Sequence, residues 1–300
     1  MENSSSYILG VSISHDATAV LVDRNGKVLA GIGEERLTRQ KYHETFPFEA
    51  IRWLLRYTGI DGKNVAEVAY NWRNIGGSRA YREEIFRAGN SGVDWANDVE
   101  FSISSRVSID YFFKKHRLYR YFFPNTSDAE FVQRALIECG ITTDKITAFD
   151  HQLCHAASAF YSSEFDSSLI ASVDGFGDDK SGGIYIGEKN NIRRLEKIPA
   201  DVSAGSFYAN VTGALGFKRN RHEGKVTGLA ASGLGSRCEK VLREYFDLGA
   251  DLRFSNRAIG ERDKRAESQD MLRFLFTGKY ELQDSYYQDL KSDLDRGKFQ

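Results

Sequence analysis

Two histidines four residues apart, His151 and His155 in the stretch FDHQLCHAASAF (149–160), and Asp174 in SVDGFGD have the types and spacing to hold a metal ion. On a helix, positions i and i+4 share one face about a turn apart, so two imidazoles can meet one ion and leave places for a carboxylate and a substrate. Asp150 is a good N-cap for such a helix, and helix formers follow it. The same pattern also fits a capped helix with two hydrogen-bonded histidines, and the spacing alone does not choose. Asp174 follows an apolar strand and precedes Gly175 and Gly177, which let a backbone come close to a cation or a phosphate. An Asx turn would use the same residues. Asp178 and Asp179 read as solvated loop charges, with Asp178 able to join the site.

Three further groups could carry chemistry. His15 and Asp16 occupy a polar turn after the first strand; a histidine near neutral pKa can act as a general base, and a neighbouring carboxylate can orient it. Turn residues that satisfy backbone groups would look the same. The run GEERLTRQKYH (33–43) reads as a mixed-charge surface helix directly after a strand, with Arg39 and Lys41 as candidate phosphate or carboxylate contacts. In HEGKVTGLAASG (222–233), Glu223, Gly224, Lys225, Gly228 and Gly233 suggest a backbone approaching an anion beside one lysine. The phosphate-loop spacing GxxxxGK[ST] is absent.

These groups need elements to hold them. YILGVSIS (7–14), ATAVLVD (17–23) and KVLAGIG (27–33) predict three strands, the last two joined by an Asn-Gly hairpin turn. PFEAIRWLLRYTGI (47–60) predicts a helix with proline at its start and Gly59 near its end. The order returns from residue 168: strands over 168–177, 181–188 and 192–198, with a turn at Asn190 and Asn191, then a helix over 204–217. Two meander-plus-helix copies, each with a polar turn after its first strand, predict two related α/β lobes of the actin-like ATPase kind. Between the copies, 65–72 and 145–150 read as strands and 127–140 as an amphipathic helix. Residues 76–124 read as a helical insertion rich in aromatics and arginine. A helix over 236–249 precedes charged sequence in which no further strand is expected, so the second lobe looks incomplete.

The bulk numbers exclude several classes. Formal net charge is -1, from 41 basic and 42 acidic residues, which gives no general pull toward nucleic acid or an anionic membrane. A composition of 41% hydrophobic and 28% charged residues suits a globular fold. No apolar run reaches the roughly 18 residues of a membrane span, and MENSSSYILG is not a secretory signal, so a cytoplasmic location is expected. Cys139, Cys154 and Cys238 are odd in number and widely spaced, as expected of reduced thiols.

Three segments together, ILGVSISHDATAVLVDRNGKVLAGIGEERLTRQKYHETFP, DHQLCHAASAFYSSEFDSSLIASVDGFGD and GSFYANVTGALGFKRNRHEGKVTGLAASG, strongly resemble the O-carbamoyltransferases of the NodU/CmcH/TobZ type. The resemblance implies a duplicated actin-like (ribonuclease H-like) α/β domain: a first lobe over 7–166 with the insertion near 76–124, and a second, incomplete lobe over 167–300. A YrdC-like domain that follows in the family is expected to be absent from these 300 residues. In such enzymes carbamoyl phosphate and ATP form a carbamoyl-adenylate, and the carbamoyl group passes to a hydroxyl of a small molecule. By motif, the resemblance assigns His151, His155 and Asp174 to a metal, typically Fe2+, with Zn2+ or Mn2+ as alternatives. It assigns His15 and Asp16 to the acceptor side. Arg39, Lys41, Gly175, Gly177, Glu223, Gly224 and Lys225 fall near the adenylate. Gln152 stands where a histidine is common in the family's HHxxH run, without touching the two metal positions. The implied partners are a small hydroxyl-bearing acceptor such as a sugar or aminoglycoside and the missing C-terminal half in the same or a separate chain; no nucleic acid or membrane is expected, and a homodimer stays open. A threonylcarbamoyl-transfer or sugar-kinase relative, or an inactive binding subunit, are the alternatives.

Overall fold

The computed structural model describes residues 7–13, 16–41, 46–73, 128–178 and 180–233, with short pieces between 239 and 256. The expected insertion at 76–124, His15, Asp179 and Cys238 lie outside the described residues. The chain divides into two units, Met1–Cys154 and His155–Gln300, and the division falls inside one continuous helix.

In the first unit, β1 (Tyr7–Ser12), β2 (Thr18–Asp23) and β3 (Val28–Gly33) form the expected antiparallel meander. Its β2–β3 turn is closed by Asp23, whose carboxylate accepts from the amides of Asn25 and Lys27, with Gly26 at φ 84°. That left-handed conformation is why a glycine stands there. Alternation along β1 and β2 puts Leu9, Val11, Ala19 and Leu21 into the core. The short helix α1 (Glu34–Thr38) follows β3 directly. Helix α2 (Phe48–Thr58) buries Phe48, Ala50, Ile51 and Leu54 at helical spacing and ends at Gly59 in the left-handed region. Strand β4 (Val65–Tyr70) lies parallel to β1, and β5 (Ile146–Ala148), parallel to β4, completes the sheet order β3-β2-β1-β4-β5. Helix α3 (Asp128–Glu138) buries Phe131, Val132, Ala135 and Leu136.

Helix α4 (His151–Tyr161) crosses the division, and Asp150 caps it by accepting from the Leu153 amide at 3.1 Å. In the second unit β6 (Ser167–Gly177), β7 (Lys180–Glu188) and β8 (Asn191–Pro199) form an antiparallel sheet in that order. Helix α5 (Ala204–Ala214) is capped by Ser203, whose hydroxyl accepts from the Ser206 amide.

Three expectations change. The β7–β8 turn is one residue earlier: Lys189 takes the left-handed φ of 52° and Asn191 already begins β8. The glycine-rich 222–233 segment, for which no element was expected, contains helix α6 (Glu223–Ala230), tied to α5 by a Tyr208–Thr227 hydroxyl contact of 2.7 Å. Tertiary contact here overrides the poor helix propensity of glycine. Phe246, expected at the end of a helix, starts strand β9 (Phe246–Leu248), which pairs antiparallel with β10 (Phe254–Asn256). The second unit thus holds further strands beyond its three-stranded sheet. Stacking of Phe246 between Phe207 and Phe254, with centroids 5.1 Å and 5.3 Å away, favours extended backbone there.

Candidate metal centre

The helix that carries the two histidines is built locally: an aspartate cap, then residues that bury Gln152, Ala156 and Phe160 on one face. With that face fixed, His151 and His155 fall together on an adjoining stripe. His151 is part-buried. Its Nδ1 lies 3.2 Å from the carbonyl oxygen of Asn71, and its ring packs against Trp72 with centroids 4.5 Å apart. A carbonyl accepts only, so Nδ1 donates and the ring's lone pair sits on Nε2. His155 is half exposed, and its Nε2 lies 3.6 Å from Oδ2 of Asp174. The Asp174 carboxylate, accepting from the His155 ring, raises the His155 pKa above its ordinary value, against the lowering effect of burial.

Asp174 owes its place to an interruption in a ladder. The β6–β7 pairing runs to Val173 opposite Gly182 and resumes only at Gly177 opposite Lys180, so residues 174–176 leave the regular register. Two residues of the second unit fix this break. Ser203 Oγ reaches the carbonyl oxygens of Asp174 at 3.1 Å and Gly175 at 2.7 Å. Gly205, in the first turn of α5, is seated so closely that a Cβ there would lie 2.6 Å from the Gly175 nitrogen. The Asp174 carboxylate also accepts from the adjacent Gly175 amide at 2.6 Å, one residue short of the reach of an Asx turn.

One donor atom from each of His151, His155 and Asp174 lies within 4.8 Å of the other two. Two imidazoles and a carboxylate suit Zn2+, Fe2+ or Mn2+, and a carbonyl that orients a histidine through its second nitrogen is the usual companion of a metal ligand. The residues present therefore fit a divalent ion.

The other candidate residues are placed as follows. In the first unit Asp16 is exposed with φ 60°, and its carbonyl accepts from Thr18 Oγ1 at 2.8 Å. Arg39 is the left-handed C-cap of α1, its amide donating to the Glu35 carbonyl, and Lys41 is exposed. In the second unit Gly175 has open space where a side chain would sit, and Gly177 is buried in the resumed ladder. Glu223 opens α6 and accepts from the Asn220 amide, Gly224 is exposed, and Lys225 Nζ lies 3.2 Å from His222 Nε2. Glu223 is the first residue of this helix, after His222 as an N-cap without a side-chain bond, so its contact with the Asn220 amide closes the turn before the helix.

The structure also corrects two readings. Asp178 is no solvated loop charge: it is 8% exposed at φ 50°, and its carbonyl accepts from Nζ of the buried Lys180. Glu34 is no surface charge either. It is fully buried, and its carboxylate accepts from the amides of Glu49 at 3.1 Å and Ala50 at 2.7 Å, so it caps α2 from a distance. Burial pushes its carboxyl up while those two amides pull it down. Nothing in GEER distinguishes a buried glutamate from its exposed neighbours. Ser203, Gly205, Asn71 and Trp72 were likewise not singled out, because their roles are contacts between segments distant in sequence.

The comparisons with known proteins agree with the motif order. The family model described as carbamoyltransferase N-terminus matches residues 7–277. An uncharacterized protein, sll1178, of Synechocystis sp. is 28% identical over 250 residues, covering 82% of this chain and 38% of that protein. The nodulation protein NolNO of Sinorhizobium fredii is 30% identical over 238 residues, covering 78% of this chain and 30% of that protein. The nodulation protein NolO of Bradyrhizobium diazoefficiens is 35% identical over 99 residues, 33% of this chain and 18% of that protein. The chain thus spans well under half the length of these relatives. With the family's N-terminal model matched over residues 7–277 of 300, the chain belongs to the carbamoyltransferase family.

Proposed function

We propose that this chain is the front part of an O-carbamoyltransferase that moves a carbamoyl group from carbamoyl-adenylate, made from carbamoyl phosphate and ATP, to a hydroxyl of a small molecule. The observation that carries the reading is the convergence of His151, His155 and Asp174 in a chain of this family. These three residues would hold a divalent cation, Fe2+ first. The ion, when bound, supplies Lewis acidity toward a carbonyl or phosphoryl oxygen.

The chain's own groups do the rest. Without the ion Asp174 pairs with His155 Nε2 at 3.6 Å, and the Asn71 carbonyl orients His151. His15, with Asp16 beside it, is the base for the acceptor hydroxyl. Arg39, Lys41, Glu223, Gly224 and Lys225, with Gly175 and Gly177, face the adenylate in this reading, where the cations would offset phosphate charge. The two units are read as the duplicated lobes of an actin-like fold; the matching antiparallel meanders β1-β2-β3 and β6-β7-β8 support that. Since the relatives run much longer, turnover is assigned to this chain together with a C-terminal portion in the same or a separate polypeptide, in the cytoplasm. Among the described residues no helix is long and apolar enough to cross a membrane.

The test measures bound metal and carbamoyl transfer to a panel of sugars and aminoglycosides, with the chain alone and with a C-terminal portion from a relative supplied. Transfer only in the supplemented mixture, lost with His151→Ala or His155→Ala together with metal content, is expected. Metal content unchanged in both variants would remove the metal assignment, and metal binding without any transfer would favour an inactive binding subunit.

A further inference from the structure

Asn71 and Trp72 directly follow β4, and four contacts within the first unit tie them to their surroundings. The Asn71 carbonyl oxygen lies 3.2 Å from His151 Nδ1. The Trp72 ring lies against the His151 imidazole at 4.5 Å between centroids and 46° between planes. The Asn71 side chain reaches the other way, accepting from the Ile13 amide at 3.1 Å and donating to Ser12 Oγ at 3.2 Å, at the end of β1. Trp72 is 6% exposed, yet its indole N–H has no hydrogen-bond partner among the described residues. An unsatisfied buried donor is destabilising, so this N–H contributes nothing that would favour tryptophan in the core. What Trp72 offers at this place is a broad, rigid ring surface, and the group it covers is the His151 imidazole.

We infer that Asn71 and Trp72 form a positioning clamp for His151: the Asn71 carbonyl sets the tautomer, and the Trp72 ring blocks rotation of the imidazole. The clamp leaves Nε2 as the ligating nitrogen. Neither residue touches the ion; both act through His151. The side-chain bonds of Asn71 to Ile13 and Ser12 anchor the clamp to the central strand β1, so the imidazole is referenced to the sheet and not only to its own helix. This inference rests on the metal reading above, and it concerns how one ligand is held.

The test uses the 300-residue chain, metal-free, and Co2+ as the probe. Long-range nitrogen–proton spectra at about pH 8, above the free imidazole value, should show His151 protonated on Nδ1. Protonation on Nε2 overturns the inference whatever the variants do. Absorption titration with Co2+ should give near wild-type affinity for Trp72→Phe, which keeps a ring and removes the unsatisfied N–H. Trp72→Ala should weaken Co2+ binding about 10- to 100-fold, the usual effect of losing a ligand's orienting partner, and should give a mixed His151 tautomer while circular dichroism stays unchanged. A folded alanine variant with unchanged affinity and tautomer overturns the clamp. Should that variant not fold, Trp72→Leu replaces it, filling volume without a flat ring; equal Co2+ affinity for the leucine and phenylalanine variants then overturns it. If the wild-type chain takes up no Co2+, the metal reading fails, while the tautomer measurement still decides whether the clamp exists.

Discussion

At the level of single residues, His155 carries a pH-dependence with a definite sign. Its pKa is raised above the ordinary 6.5 by the hydrogen bond to Asp174. Protonated His155 is therefore favoured in the folded metal-free chain. The stability it contributes is fully present below about pH 6.5 and is lost as pH rises through the raised folded value. Urea unfolding of the metal-free chain between about pH 5.5 and 8.5 should show this decline, and Asp174→Asn should flatten it. Metal affinity runs the other way, because ion and proton compete for the same imidazole. Co2+ binding should tighten with rising pH across the same window, and titrations at several pH values check it. Cys139 shows the opposite fate of a titratable group: burial pushes its thiol up to about 12, which leaves it unreactive in the folded protein.

At the level of elements, the site depends on how α5 meets β6. The break in the β6–β7 ladder presents Asp174, and Gly205 lets the first turn of α5 sit on the Asp174–Gly175 backbone. Backbone atoms cannot swing aside as a flexible side chain can, so an added methyl must push the helix or the strand. Gly205→Ala should therefore cost about 1–3 kcal/mol and move Asp174, weakening Co2+ binding as well; chemical denaturation and the Co2+ absorption titration read the two effects. Unchanged stability would mean that the helix has room to shift. In the first unit Glu34 plays a comparable part, since its buried carboxylate satisfies two amides at the start of α2 and so pins α1, whose C-cap is Arg39, to the core. That gives the GEER run a structural reason.

At the level of the whole molecule, a formal net charge of -1 offers no long-range attraction to nucleic acid. A labelled tRNA should show no mobility shift with the chain at about 0.15 M salt; a clear shift would move the reading toward threonylcarbamoyl transfer. Much of the architecture was legible in the sequence, because the signals involved are local. The β-branched runs and the Asn-Gly turn marked the meander, Asp150 marked the start of the histidine helix, and Gly59 marked the end of α2. The i, i+4 spacing placed both imidazoles on one face without any knowledge of the rest of the chain. Where a local signal was overridden the reading failed, as at 236–249, where helical spacing suggested a helix through Phe246 and stacking on Phe207 and Phe254 accompanies a strand. The sequence by itself determined which elements form and which residues of α4 share a face, since helix and strand periodicity are set by neighbouring residues. Only the tertiary structure decided that Asp174 meets His155, that Glu34 is buried, and that Asn71 and Trp72 hold His151. Each of these is a contact between segments far apart in the chain, and no local pattern encodes which distant backbone will come to lie beside it.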